Sequence, residues 1–133
     1  MCCRRETNVE TKLKAKMRRT PGRMITAYKS LKKERGALHS HFAGAFPYRS
    51  GINVAEGKLD LSKDRVSSGA FHVWLSRKDA VKQIFGGHMR VIPVRCREED
   101  FIGAGHWDSR YEVKIACFKT LEIEPGVIER ALA

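Results

Sequence analysis

Between residues 70 and 87 the sequence changes its periodicity, and that change constrains the fold more than any other feature. Ala70-Phe71-His72-Val73-Trp74-Leu75 is a short run of apolar and β-forming residues, which predicts a core strand. Ser76 follows, with Asp79 three positions on. A hydroxyl and a carboxylate at that spacing satisfy amides that the first turn of a helix leaves free. The helix they open carries Ala80, Val81, Ile84 and Phe85 as an apolar stripe, and Gly86-Gly87 ends it. A strand feeding straight into an amphipathic helix must bury both against one core. The expected class is therefore α+β: a small, mostly antiparallel or mixed sheet with this one main helix packed on it.

The flanking sequence supplies the other strands. Residues 24–31 are rich in β-formers and lead through the charged turn Lys32-Lys33-Glu34-Arg35-Gly36 into 37–42, which reads as a hairpin. Residues 43–69 are loop-rich, punctuated by Gly44, Pro47, Gly51 and Gly57, with a short strand near 52–54. Residues 89–96 form a strand in which Pro93 predicts an edge or a bulge. One helical turn is expected at 97–101 and a loop at 103–109. Residues 111–123 form a long β run with Val113, Ile115 and Cys117 on one face, and Pro125 precedes a short helix over 126–132.

Charge divides the chain. The net charge is +11, and residues 1–23 hold eight cations (Arg4, Arg5, Lys12, Lys14, Lys16, Arg18, Arg19, Arg23) against Glu6 and Glu10. Val9, Leu13 and Met17 recur at four-residue spacing over Thr7–Arg19, but an isolated helix of that length is marginal in water. The segment 1–23 is accordingly expected to be a basic, flexible arm on a single α+β domain of residues 24–133. Met24 is a candidate start, because the composition changes there. No apolar run approaches the ~20 residues of a membrane span, and no apolar signal core follows Met1-Cys2-Cys3-Arg4-Arg5. A cytoplasmic location is expected, with Cys96 and Cys117 as free thiols buried in strands.

Few residues suggest chemistry. His39 and His41 share a strand face and could present two nitrogens to a metal, with His72 or His106 as a third, but ordinary hydrogen-bonded histidines are the favoured reading and no metal is expected. Trp74 reads as a cover for the sheet edge, and His72 on its face could line a pocket beside it. Basic and aromatic residues mingle at Phe46, Tyr48 and Arg49 and again at His106, Trp107, Arg110 and Tyr111. Such mixtures suit single-stranded nucleic acid. Gly103-Ala104-Gly105 lacks the lysine and spacing of a phosphate loop.

Two resemblances follow from these pieces. Ala27-Tyr28-Lys29-Ser30-Leu31, Gly69-Ala70-Phe71-His72 with Ser76-Arg77-Lys78-Asp79-Ala80, and the run 91–96 resemble small uncharacterised bacteriophage-encoded proteins in cadence, which implies no activity. The strand ending in Ser76, the helix with Asp79-Ala80-Val81, a strand ending near Asp100 and then Tyr111-Glu112-Val113-Lys114-Ile115 resemble the element order of the ADP-ribosyltransferase-like fold. That resemblance implies NAD as cofactor, gripped by His39, supported by Ser76 and with its ribose held by Glu112.

The charge asymmetry points first to a non-enzymatic binding protein without a cofactor, a phage accessory factor by the first resemblance. Its basic surface would engage nucleic acid or an acidic protein partner. Arg4, Arg5, Arg18, Arg19 and Arg23 in the arm and Arg49 and Arg65 in the long loop are the expected contacts. The alternatives are an ADP-ribosyltransferase-like enzyme using NAD, and a protein-interaction or inhibitor domain with an exposed apolar patch.

Overall fold

The computed structural model describes residues 2–40, 47–84 and 86–133, and for Tyr111 the backbone only. His41, Phe42, Phe46 and Phe85 lie outside the described residues. The elements are β1 (Cys3–Arg5), α1 (Thr7–Arg19), β2 (Met24–Glu34), β3 (Ala37–Ser40), β4 (Gly51–Val54), β5 (Arg65–Val66), β6 (Phe71–Trp74), α2 (Arg77–Val81), β7 (Met89–Arg97), β8 (Phe101–Trp107), β9 (Arg110–Phe118), β10 (Thr120–Ile123) and α3 (Val127–Leu132). Short 3-10 turns at Pro21–Arg23 and Glu98–Asp100 lead into β2 and β8.

The strands pair antiparallel in the order β4-β10-β7-β2-β6-β9-β8-β1-β5, with β3 on β2. The described residues form a mostly-sheet fold with three helices, rather than a sheet built around one main helix. β2 and β3 close on Arg35 and Gly36, both at positive φ (54° and 73°), the two-residue turn whose twist suits a hairpin. β7 is interior, between β2 and β10. Pro93 therefore sits in neither an edge nor a bulge; it faces Tyr28 in unbroken register, and on the other side β10 contributes a single bridge, Glu122 to Arg95.

Alternation sorts the apolar side chains to two faces. Ile25, Ala27, Leu31, Val73, Ile92, Val94, Ala116, Phe118, Leu121 and Ile123 join Leu13 and Met17 of α1 and Val127 and Ile128 of α3. On the other face Trp74, Val113, Ile115 and Cys117 pack with Cys3, Val66 and Ala80. The three inward residues expected on β9 thus share a face. Lys33 and Arg90 donate to the carbonyls of Leu132 and Ala131 at 2.8 and 2.9 Å, satisfying the end of α3.

The helix opened by Ser76 is short. The Asp79 amide donates to Ser76 Oγ at 3.1 Å, so the cap forms as read. The expected stripe splits, however: Ala80 is buried while Val81 is 46% exposed. Gln83 and Ile84 then donate to residues three positions back, and the helix ends at Val81. The longest helix among the described residues is α1, in the segment expected to be a flexible arm.

That segment is part of the fold. β1 pairs with both β8 and β5, and Cys3 and Met17 are fully buried. Burying side chains such as Leu13 and Met17 contributes roughly 1.5–3 kcal/mol each, which outweighs the weak propensity of a short isolated helix. The region 103–109, expected as a loop, supplies most of β8 because its glycines admit this docking. A Cβ at Gly105 would lie 1.7 Å from the Arg4 carbonyl oxygen, and one at Gly103 would lie 3.0 Å from Glu10 Oε2. Past β1, the Glu6 amide donates to the Ala104 carbonyl at 3.0 Å, and the Ala104 amide donates to Glu10 Oε2 at 2.9 Å.

The far end of the sheet is tied back to its middle. His72 Nε2–H of β6 donates to the Val66 carbonyl of β5 at 3.1 Å. Burial holds the imidazole below the ordinary histidine range, outweighing the carbonyl bond that favours the cation.

Two predictions follow from these contacts. Gly105→Ala should cost about 3 kcal/mol or more in urea unfolding, because backbone rather than a side-chain tip must move; a loss within experimental error would contradict the docking geometry. Stability contributed by neutral His72 is complete above the unfolded value of about 6.5 and is lost as pH falls through it toward the lower folded value. His72→Gln should therefore flatten the decline in urea midpoint between about pH 7.5 and about pH 5.5; an unchanged slope would clear His72 of that role.

Candidate functional site

On α1 the cations divide by neighbour. Lys12, Lys16 and Arg19 follow at i, i+4 and i+7 along one side, spaced by roughly 6 and 4.5 Å of helix rise. All three are exposed and make no ion pair among the described residues. Like charges at i, i+4 destabilise a helix by a few tenths of a kcal/mol. Lys16 and Arg19 also sit in the last turn, where the helix dipole favours cations; Lys12, mid-helix, has no such compensation.

A second row crosses the sheet. Arg65 of β5 pairs with Arg4 of β1, Arg4 with His106 of β8, and His106 with Lys114 of β9. Paired residues point to one face, and strands lie about 4.8 Å apart, so the row extends roughly 14 Å. Arg4, Arg65 and Lys114 are exposed, and His106 Nδ1 lies 2.6 Å from Glu6 Oε1. By alternation this is the face on which α1 packs, since His106 and Lys114 have the same parity as Ala104 and Ala116. The helix that carries the stripe and the row of the sheet therefore lie on the same face of the sheet.

The expected contact residues separate in the same way. Arg4, Arg19 and Arg65 belong to the cationic face. Arg5 donates to both oxygens of Glu10, at 3.0 and 3.3 Å, and to the Ser62 carbonyl, so its role is structural. Arg18 and Arg23 converge on Glu98 at 2.7 and 3.6 Å. Arg49 is exposed beside β4, at the opposite end of the pairing order, where Asn53 holds its backbone at 3.1 and 2.8 Å. Sequence reasoning missed Lys12, Lys16 and Lys114. The first two were readable from the helical spacing that also places Val9, Leu13 and Met17; Lys114 needed the register.

Other candidates are occupied structurally. Trp74 is buried against Trp107, with ring centroids 5.3 Å apart, and Tyr48 packs on Phe71 at 5.7 Å. Trp74 therefore fills the second core rather than covering an edge. None of the described aromatic rings is among the exposed large hydrophobics, so a stacking platform for unpaired bases finds no support there. His39 lies opposite Lys32 on β3, His72 binds Val66 and His106 faces Glu6. No three His, Cys, Asp or Glu among the described residues gather as a metal site.

Cys96 is pushed up to about 12 by burial. Cys117 is raised by burial and by the neighbouring Cys3 thiol. Both are poor nucleophiles. Lys29, overlooked in the sequence, continues the inward phase of Ile25, Ala27 and Leu31; its buried ammonium donates to the His72 carbonyl at 2.8 Å and lies 5.9 Å from the Tyr48 ring centre. It serves the backbone where β2 and β6 share only the Tyr28–Trp74 bridge.

The three residues suggested for NAD are placed by different strands. The Ser76 hydroxyl caps α2, and Glu112 is exposed on β9. His39 sits on β3, which pairs with β2, itself separated from β9 by β6. A groove of about 310 Å³ opens elsewhere, lined by Arg95, Arg97, Glu99, Asp100, Thr120 and Glu122. Both of its cations are paired: Arg97 meets Glu122 at 3.2 Å and Arg95 pairs with Glu124, while Thr120 donates to Asp100 at 2.6 Å. Compared with family models, with curated proteins and with solved structures, the chain matches none.

Proposed function

We propose that this protein binds nucleic acid without catalysis, through phosphate contacts made by Lys12, Lys16 and Arg19 of α1 and by Arg4, Arg65 and Lys114 of the sheet. The observation that carries this reading is the helix stripe itself: three exposed cations in a line, with no ion pair among the described residues, on a helix anchored by Leu13 and Met17. A phosphate backbone presents a regular succession of negative charges that such a line can follow, and Lys or Arg contacts to it release counterions. With no described aromatic ring among the exposed large hydrophobics, the contacts are to the backbone rather than to bases, which favours duplex over single strand.

The test is a salt titration with a labelled DNA duplex, comparing the native protein with the triple variant Lys12→Ala, Lys16→Ala, Arg19→Ala. The log–log salt slope should become shallower by about 3 in the variant, at about 0.9 per phosphate contact. Replacing Arg97, already paired with Glu122, should leave the slope unchanged. Equal slopes for native and triple variant would remove the helix from the account. Competition by polyglutamate as effective as by duplex would assign the same face to an acidic protein instead.

A further inference from the structure

Arg18 and Arg23 reach one carboxylate from two different elements. Arg18 stands in the last turn of α1, and Arg23 closes the turn that follows, one residue before β2. β2 and β7 pair antiparallel as far as Met24 and Arg97, so the next residue on each strand, Arg23 and Glu98, leave the sheet side by side. Arg23 is held there at a positive φ of 50°, a conformation disfavoured for a residue with a side chain. Arg18 Nε donates to Glu98 Oε2 at 2.7 Å, and Arg23 Nη1 lies 3.6 Å from Glu98 Oε1. Each oxygen of Glu98 thus faces one guanidinium group. Its neighbours make no such contact among the described residues: Asp100 accepts from Thr120, and Glu99 is exposed without an ion pair.

The turn itself is held without this acid. Thr20 Oγ1 donates to the Lys16 carbonyl at 2.8 Å, and the Arg23 amide donates to the Thr20 carbonyl at 2.9 Å. The two arginine side chains are 62% and 70% exposed, and exposed ion pairs add little to stability. What Glu98 alters is the charge offered at the end of the helix. Arg18 adjoins Arg19, the last cation of the stripe, and Arg23 is the next cation after it along the chain.

We infer that Glu98 is an internal competitor for phosphate, an autoinhibitory contact that ends the anion-binding stripe of α1 at Arg19. Guanidinium groups take carboxylate and phosphate oxygens in the same geometry. The Glu98 oxygens therefore stand where those of a phosphate would stand against Arg18 and Arg23. An acid 80 residues along the chain from Arg18 limits how many phosphates the helix follows. The inference rests on the nucleic-acid reading proposed above and names a restraint on that same site.

A salt titration with a labelled DNA duplex, comparing the native chain with Glu98→Gln, tests it. Glutamine keeps the shape of the side chain and an oxygen for Arg18 while removing the charge. The log–log slope should steepen by about 0.9–1.8, one or two further phosphate contacts at about 0.9 each. Glu98→Ala, measured beside it, should give the same steepening. Adding Arg18→Ala and Arg23→Ala to Glu98→Gln should bring the slope back to the native value. Glu34→Gln removes the same charge beside Lys32, roughly 30 Å away at the other end of β2, and should leave the slope unchanged. Circular dichroism checks that each variant is folded. A native chain that binds, with a slope that neither change at Glu98 steepens, overturns the inference and leaves the nucleic-acid reading standing. So does a steepening that Glu34→Gln reproduces, or one that survives the loss of both arginines. A duplex bound by neither the native chain nor the Glu98 variants overturns the reading itself, and the inference with it.

Discussion

The carbonyl of Arg4 passes over Gly105 where a Cβ would stand 1.7 Å away, and the course of the first twenty residues follows from that approach. With no side chain at residue 105, β1 lies flat against β8 and leaves room for β5 beyond it. The chain then turns at Glu6, whose amide takes the Ala104 carbonyl, while Glu10 takes the Ala104 amide and holds Arg5. These contacts set α1 on the small side chains of Ala104 and Ala116, where Leu13 and Met17 complete the larger core. Enlarging residue 105 would therefore disturb the helix and its cations together.

The sequence carried some of this plainly. The Ser76 cap, the inward phase of β9 and the terminal helix rest on local spacing and turn chemistry, and they form where expected; the hairpin forms too, though its first strand, expected over 24–31, runs on to Glu34 and the turn tightens from 32–36 to Arg35-Gly36. The N-terminal segment did not yield to the same reasoning. Its apolar spacing was visible, but a helix with three apolar residues is stable only if a surface waits for it, and that surface is built by residues a hundred positions away. Gly103 and Gly105 read as loop residues for the same reason: what they admit is backbone from elsewhere in the chain. Conversely, Ile84 extends a helical pattern that the structure ends at Val81; Ala80 is buried in the second core while Val81 is exposed.

The candidate site was legible in composition but not in membership. Eight cations in 1–23 mark a basic region, yet ion pairs withdraw Arg5, Arg18 and Arg23, while register adds Lys114 to Arg4 and Arg65 from three other strands. Charge becomes a surface only after neutralised residues are removed, and the neutralising acids, Glu10 and Glu98, are assigned by the fold. The same sorting separates the two ends of the sheet: a cationic end at β1 and β5, and an uncharged, β-branched edge at β4.

Amide hydrogen exchange of the native chain without ligand tests the central claim, that residues 3–19 are a docked part of the core presenting fixed cations. Backbone hydrogen bonds that open only with the whole domain exchange at the rate of global unfolding, whereas a loose segment exchanges nearly freely. The account predicts that the amides of Glu6, Leu13 and Met17 are protected to the same degree as those of Ala104 and Ala116. Exchange of those three at free-peptide rates, with β8 and β9 still protected, would return the segment to a mobile arm and dissolve the cationic face it is held to form.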